Sequence, residues 1–280
     1  MASLREVKDR ITSVKSTLKI TSAMKLVASS KLRKAQRTIE ALRPYETALS
    51  EVLSQVPAAR LERSDSEMNP TKVVVVAISS NQSLCGGFNA NVIKKALAVV
   101  AESGKDVEVW SLGRKMADAM RKAGYRTPSD CNDMVAHPSY AAISALASSL
   151  VERYVAGEIA KVVLVYSHFV STSKQVAVAE TYLPFEMASV SEDENAESEY
   201  IIEPSAEEVA RQLLPQVLNL KLYTAVLDSA AAEHAARTLA MQTASDNAKD
   251  LIADLTLEYN KGRQQKITSE ILDLVGGAQQ

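Results

Sequence analysis

The residues with the most chemical potential in this chain lie at Leu84-Cys85-Gly86-Gly87-Phe88-Asn89, between a β-branched apolar run and a helix-forming stretch. Glycines at such a junction can lay backbone amides against a phosphate. The G-x-G-x-x-G spacing is absent, however, and no Gly-Lys-Ser/Thr follows to hold a metal or a terminal phosphate. A tight strand-to-helix turn accounts for the glycines. His137, His168 and His234 fall in separate elements without metal-ligand spacing. His234 lies on an apolar helix seam, where a packed, hydrogen-bonded imidazole is expected. No nucleophile–base pair can be assembled. The chain is therefore expected to carry no catalytic site, no cofactor and no metal of its own. Its two cysteines, Cys85 and Cys131, form no disulfide framework and fit a reducing compartment.

The elements around that turn are unusual. In the first fifty-odd residues Leu4, Val7, Ile11, Val14 and Leu18 alternate at three and four, the spacing of a helical seam. The pattern drifts and then resumes through Ala35, Ile39, Leu42, Leu49, Leu53 and Val56. In the last seventy-odd residues a seam steps through Leu220, Thr224, Leu227, Ala231, His234, Thr238, Met241, Ser245, Ala248, Ile252, Leu255 and Tyr259. At 1.5 Å per residue these rods span about 80 and 100 Å, more than a domain core needs. Antiparallel pairing would place both termini at one tip. Ser3-Leu-Arg-Glu6 is a capping box for the first helix, which Pro57 stops and Pro44 is expected to kink or break. Ser205-Ala-Glu-Glu208 opens the last helix, Pro215 is expected to divide it, and Gly276-Gly277 ends it. That seam is rich in Ala, Ser and Thr, so it buries little area per turn at about 25 cal/mol per Å². Such a pair needs a third surface around it.

Between the rods, after a polar linker over 60–70, strands are expected at 72–78, 107–112, 161–166 and 175–183. Helices are expected at 89–103, 114–123 and 139–155, with Cys131 in a loop. The alternation predicts a mostly parallel sheet with an antiparallel last pair. The fold class is thus α/β, two long terminal helices forming an antiparallel coiled coil around a central Rossmann-like domain. The domains are 1–57, 71–186 and 205–276.

The formal charge of −2 conceals segregation. Residues 1–43 carry eleven Lys/Arg against three acids, a local net of +8, whereas residues 180–208 carry ten acids and no Lys or Arg. Residues 189–198 read as an acidic, mobile loop. The poles imply different partners for different parts of the chain. A nucleic-acid footprint on the basic helix is disfavoured by the near-balanced total and the lack of interleaved aromatics. No signal peptide or transmembrane run is evident, so no direct membrane insertion is expected. Two alternatives stay open: a small-molecule-binding α/β domain on a helical arm, and a nucleic-acid scaffold.

The segment Arg10-Ile-Thr-Ser-Val-Lys-Ser-Thr-Leu-Lys-Ile-Thr-Ser-Ala-Met-Lys-Leu-Val-Ala-Ser-Ser-Lys-Leu-Arg-Lys-Ala-Gln36 closely resembles the N-terminal helix of the gamma subunit of rotary (F-type) ATP synthases, bacterial type. Glu233-His-Ala-Ala-Arg237, Met241, Ala244 to Asn247 and Tyr259-Asn-Lys-Gly-Arg-Gln264 are similar to its C-terminal helix. Leu84 to Asn89 matches its central signature. The likeness runs over essentially the whole chain, in order.

The resemblance implies a non-catalytic central-stalk rotor of a proton-translocating ATP synthase, coupling rotation of the c-subunit ring to ATP synthesis and hydrolysis at the beta-subunit sites. It implies partners in the 3:3 head of alpha and beta subunits, the epsilon subunit and the c-ring, with no nucleic acid. The location it implies is peripheral, at the cytoplasmic face of the bacterial plasma (inner) membrane. Carried over by position, Met24 and Lys25 face the acidic lever loop of beta, and Arg263 and Gln264 engage its catch loop. Ile267 and Leu274 belong to a tip turning in an apolar sleeve, while Tyr200 and Glu203 lie in the foot facing the ring and epsilon. Two departures are visible. Asn81-Gln82-Ser83 stands where many members have Asp-Arg-Gly, and the two-cysteine insert of the plastid version is absent, so thiol control is not expected.

Overall fold

The computed structural model describes residues 3–54, 71–104, 106–125, 131–185, 203 and 205–277. Pro57, the 60–70 linker, the acidic stretch 189–198 and Tyr200 lie outside the described residues. The elements run α1 (Leu4–Ser54), β1 (Val73–Ile78), α2 (Phe88–Glu102), β2 (Val107–Leu112), α3 (Arg114–Lys122), α4 (Asn132–Ala136), α5 (Tyr140–Val155), β3 (Lys161–Phe169), β4 (Gln175–Leu183) and α6 (Ala206–Gly277). By contacts the chain forms two compact units, Met1–Ser29 with Arg237–Gln280 (unit 1) and Ser30–Ala236 (unit 2).

Unit 2 is built on a four-stranded sheet of order β2-β1-β3-β4, with β1 parallel to β2 and β3, and β4 antiparallel to β3. Alternation along β1 divides the core. Val75 and Ala77 face α2 and α3 through Val92, Ala96, Val100, Met116 and Met120. Val74, Val76 and Ile78 face the layer of α5, α6 and the end of α1, including Leu150, Leu218, Leu222 and Leu53. Period-two burial on a sheet covered on both faces produces the continuous Val-Val-Val-Val run.

Three expectations are corrected. The loop around Cys131 contains α4, a single short turn, and β3 extends three residues further because β4 pairs along it to Phe169↔Gln175. Pro44 and Pro215 lie inside uninterrupted helices. Each removes one backbone bond, a loss of about 3 kcal/mol. Leu214 and Leu218 bury their side chains on both sides of Pro215, and Leu49 and Leu53 beyond Pro44, so packing outweighs it. At the start of α1 both halves of the capping box form: Glu6 N donates to Ser3 Oγ (3.2 Å) and Ser3 N to Glu6 Oε2 (2.8 Å). At α6, Glu208 N donates to Ser205 Oγ (3.3 Å).

One polar cluster anchors β2. Arg153 Nη2 donates to Glu108 Oε2 (2.9 Å), Trp110 Nε1 donates to Glu108 Oε1 (2.6 Å), and the guanidinium lies 5.8 Å from the Trp110 ring centre. Burial opposes ionisation of Glu108, but these donors outweigh it and hold its carboxyl below the ordinary value of 4.5. Its contribution to stability is therefore complete above that value and vanishes as pH falls through the depressed one. Glu108→Gln should cost about 1–2 kcal/mol in urea unfolding at neutral pH. The gap from the parent should close as pH falls through the depressed value. A gap independent of pH would show the charge to be irrelevant.

Candidate partner-binding surfaces of the helical pair

Unit 1 consists of the start of α1 and the end of α6. Two contacts set its register. Thr21 Oγ1 lies 2.8 Å from Ser245 Oγ, and the Leu4 Cδ2 methyl would stand 3.1 Å from a Cβ at Gly262. Seventeen residues up α1, Leu4 to Thr21, match seventeen back along α6, Gly262 to Ser245, so the helices pair antiparallel. In unit 2 the same sense holds, with Leu32 on Ala231 and Ala235 and Tyr45 Oη donating to Gln216 Oε1 (3.4 Å).

The seam does not drift after Leu18. Burial continues at heptad spacing through Thr21, Lys25, Ala28 and Leu32, with Thr21, Ala28 and Leu32 buried and Lys25 half-buried. On α6, Met241, Ser245, Ala248 and Leu255 are buried as well. A polar or small residue at a seam position hides the pattern from an apolar count, yet the position still packs. A large side chain meets the smallest residue where Leu4 lies against Gly262.

The Thr21–Ser245 layer has two hydroxyl protons for three contacts. Thr21 Oγ1 also lies 3.1 Å from Leu18 O and Ser245 Oγ 2.8 Å from Met241 O. Removing one hydroxyl therefore leaves the other with a carbonyl acceptor on its own helix. Thr21→Val should lower stability by only about 1 kcal/mol in chemical unfolding. A loss above about 3 kcal/mol would mean the remaining hydroxyl is orphaned.

The candidate partner residues separate into two stations. Met24 and Lys25 are half-buried, level with Met241 to Asp246 of α6. The Asp246 carboxyl is held below its usual range first by Lys249, then by Gln242, with Lys25 adding its charge across the pair. Arg263, Gln264 and Ile267 are exposed and lie past Gly262, where the seam ends because α1 begins at Leu4. From Met241 to Arg263 the rise is about 33 Å. Leu274 is in the last turns of α6 with its side chain outside the described residues, and Glu203 is exposed.

The sequence reading passed over three outward apolar residues on α1: Ile20, Leu26 and Val27 are exposed, Leu26 to 69%. Adjacent Leu26 and Val27 cannot both reach a seam that Lys25 and Ala28 already occupy, which is the signal that could have found them. Exposed Lys8, Arg10, Lys15 and Lys19 precede them, and among the described residues no carboxylate forms a salt bridge with any of these cations. Leu257 on α6 is likewise exposed, to 70%.

The Leu84–Asn89 turn is occupied with itself. Asn89 Oδ1 accepts from Ser80 N (3.1 Å), and Asn89 Nδ2 donates to Ser80 Oγ (2.8 Å) and meets Cys85 Sγ at 3.1 Å. Leu84 at φ +66° and Gly86 at φ +57° bend the chain back. The crevice beyond the carboxyl ends of β1 and β3, where an open sheet of this kind takes ligands, contains Cys85, Phe88 and Phe169 packed on Ala232 and Ala236 of α6. Among the histidines, His168 Nδ1 lies 2.6 Å from Asp228 Oδ2, whose other oxygen accepts from Phe169 N (3.0 Å). Among the described residues no three His, Cys, Asp or Glu side chains are placed to hold a metal. No helix among them is long and apolar enough to cross a membrane.

A weakly apolar antiparallel pair with outward leucines and unpaired cations, joined to a Rossmann-like unit whose ligand crevice is filled by its own helix, defines a protein-docking subunit. A family model described as ATP synthase matches residues 3–280. The chain is 49% identical to an ATP synthase gamma chain of Bacteroides thetaiotaomicron over 100% of both chains, and 47% identical to that of Phocaeicola vulgatus over 99% of both. This chain belongs to the ATP synthase gamma-chain family. Its fold is similar to a chain of the Euglena gracilis mitochondrial ATP synthase, described as OSCP/F1/c-ring (TM-score 0.66, 18% identity, 99% of this chain and 93% of that one). It is also similar to one from the Tetrahymena thermophila mitochondrial ATP synthase central stalk and c-ring (TM-score 0.58, 21% identity, 81% and 99%).

Proposed function

We propose that this chain is the non-catalytic rotor of the central stalk in a proton-translocating ATP synthase. It works peripherally at the cytoplasmic face of a bacterial plasma membrane. The observation that carries the reading is the helical pair of unit 1. Its seam is small or polar at Thr21, Lys25, Ala28, Ser245 and Ala248, while its outer surface presents Ile20, Leu26, Val27 and, among the described residues, a row of cations without salt bridges. Such a surface is suited to enclosure by partners that supply apolar contact and negative charge.

In this reading the helices of 1–57 and 205–276 stand inside the 3:3 head of alpha and beta subunits. The α/β domain of 71–186 sits with epsilon on the c-subunit ring. Ring rotation turns the shaft, which has different side chains on its α1 and α6 sides. Each beta site is thereby driven in turn between open and closed states, so binding energy for nucleotide is changed mechanically. Met24 and Lys25, joined by Leu26 and Val27, meet the acidic lever loop of beta. Arg263 and Gln264 engage the catch loop, and Ile267 to Val275 turn in the apolar sleeve. Tyr200 and Glu203 face the ring and epsilon.

Co-expression with alpha and beta subunits tests this. One copy per three beta subunits, with ATPase dependent on this chain, is the expected result. Equal numbers of this chain and beta, or no association, would remove the rotor assignment. Nucleotide hydrolysis by the pure chain would also count against it.

A further inference from the structure

We propose that a cavity between α6 and the β3–β4 edge of the sheet is a binding site for a small aliphatic diamine. The site lies wholly within unit 2 and does not depend on the rotor reading. On the sheet face that packs against α6 and the end of α1, a cavity of about 300 Å³ remains, at the lower end of the volumes that take small molecules. Its charged lining is mostly acidic: Glu46 from α1, Glu180 from β4 and Asp228 from α6, against Lys221 from α6. Asp228 already has partners, His168 Nδ1 at 2.6 Å and the Phe169 amide at 3.0 Å. Among the described residues Glu180 accepts only from the neutral Tyr166 hydroxyl (3.1 Å), and half-buried Glu46 has no hydrogen bond or ion pair. Lys221 does not neutralise them. Among the described residues it forms no salt bridge, and its Nζ lies 5.7 Å from the centre of the Phe185 ring. Burial first, then the negative charges of Glu180, Asp228 and Glu46, push the Tyr166 hydroxyl well above its ordinary value, so all three carboxylates act on one small volume.

Two carboxylates without a cation, set on different walls, require two positive charges. A single metal ion needs oxygens that converge on one point. Among the described residues no three His, Cys, Asp or Glu side chains are placed to do so. A lysine from a partner brings one ammonium and leaves the other carboxylate unmet. A diamine brings two, joined by methylenes that suit the apolar part of the lining, Leu49, Phe185, Val217 and Leu220. Thr224, on the α6 wall, adds an Oγ1 that is shielded from water and has no partner among the described residues. Rotation about χ1 turns that oxygen toward an entering N–H.

The test is calorimetric titration of the full chain with diaminobutane at low salt. The expected result is saturable binding of a single diamine per chain, weakening with added salt. Butylamine, with one ammonium, should bind about tenfold more weakly. E46Q and E180Q should each lose about tenfold, because Gln keeps the shape of the side chain, and an acceptor for Tyr166, but not the charge. K221M should gain about threefold, since a like charge leaves the site. E102Q removes an exposed carboxylate of α2 outside the lining and should bind as the parent does. Unchanged circular dichroism checks that each variant folds. No saturable binding, butylamine binding as tightly as the diamine, or parental affinity in both E46Q and E180Q would each overturn the proposal. So would an equal loss in E102Q, weaker binding by K221M, or displacement of the diamine by an equal concentration of magnesium. ATPase measured with alpha and beta subunits is a separate readout: its failure sinks the rotor reading and leaves the diamine result standing.

Discussion

Gly113→Ala is expected to remove about 3–5 kcal/mol from the stability of unit 2, a large share of what a domain of ordinary stability has. Gly113 joins β2 to α3 at φ +106°. A Cβ there would stand 2.2 Å from Ser79 O and 2.8 Å from Ser79 C, both backbone atoms that cannot rotate away. Ser79 is fixed in turn: its N donates to Leu112 O (2.8 Å) and its Oγ accepts from Met116 N (2.8 Å). The methyl group must therefore part β1 from β2 where both strands end. Gly124, at φ +86° with no atom within 4 Å of its would-be Cβ, isolates the conformational cost alone. Gly124→Ala should lose only about 1–2 kcal/mol. Urea unfolding of the two variants decides the matter, and equal losses would refute the steric account.

Lys25→Glu should cut ATP-driven proton pumping in vesicles at least about tenfold while changing assembly less than about twofold. In the proposed contact with an acidic lever loop, a reversed charge would turn attraction into repulsion. Within the chain the same reversal also sets a carboxylate near Asp246. Asp246 is open to solvent and keeps Lys249 at 2.9 Å, so screening makes that internal effect small. Lys25→Gln separates the two contributions, since it removes the charge without adding repulsion, and it should fall between parent and Lys25→Glu. Full pumping by both variants would take Lys25 out of the contact. Leu26 and Val27 would then remain as the candidates on that part of α1.

The sequence by itself determined the strands, the longer helices and their order. Period-two β-branched runs and period-3.5 apolar seams are local signals, so strands β1 to β4, the long helices and the antiparallel last pair of the sheet were legible. The polar turn after β1 was legible for the same reason, because glycine spacing is a local property. The family followed from motifs spread along the whole chain. Proline was over-read: the loss of one hydrogen bond is local, whereas the packing that overrides it at Pro44 and Pro215 comes from residues remote in sequence.

Only the tertiary structure decided which face of each helix is spent. Thr21, Lys25 and Ala28 looked like a break in the seam of α1 and are its continuation, because Ser245, Met241 and the small residues of α6 come to meet them. Lys25, singled out as an outward charge, is half-buried on that seam, and Leu26 and Val27 are the outward pair. The filled crevice at β1 and β3 was likewise invisible, since Ala232 and Ala236 are more than 140 residues from Cys85. Burial is a property of pairs of surfaces, and one strand of sequence contains only half of each pair.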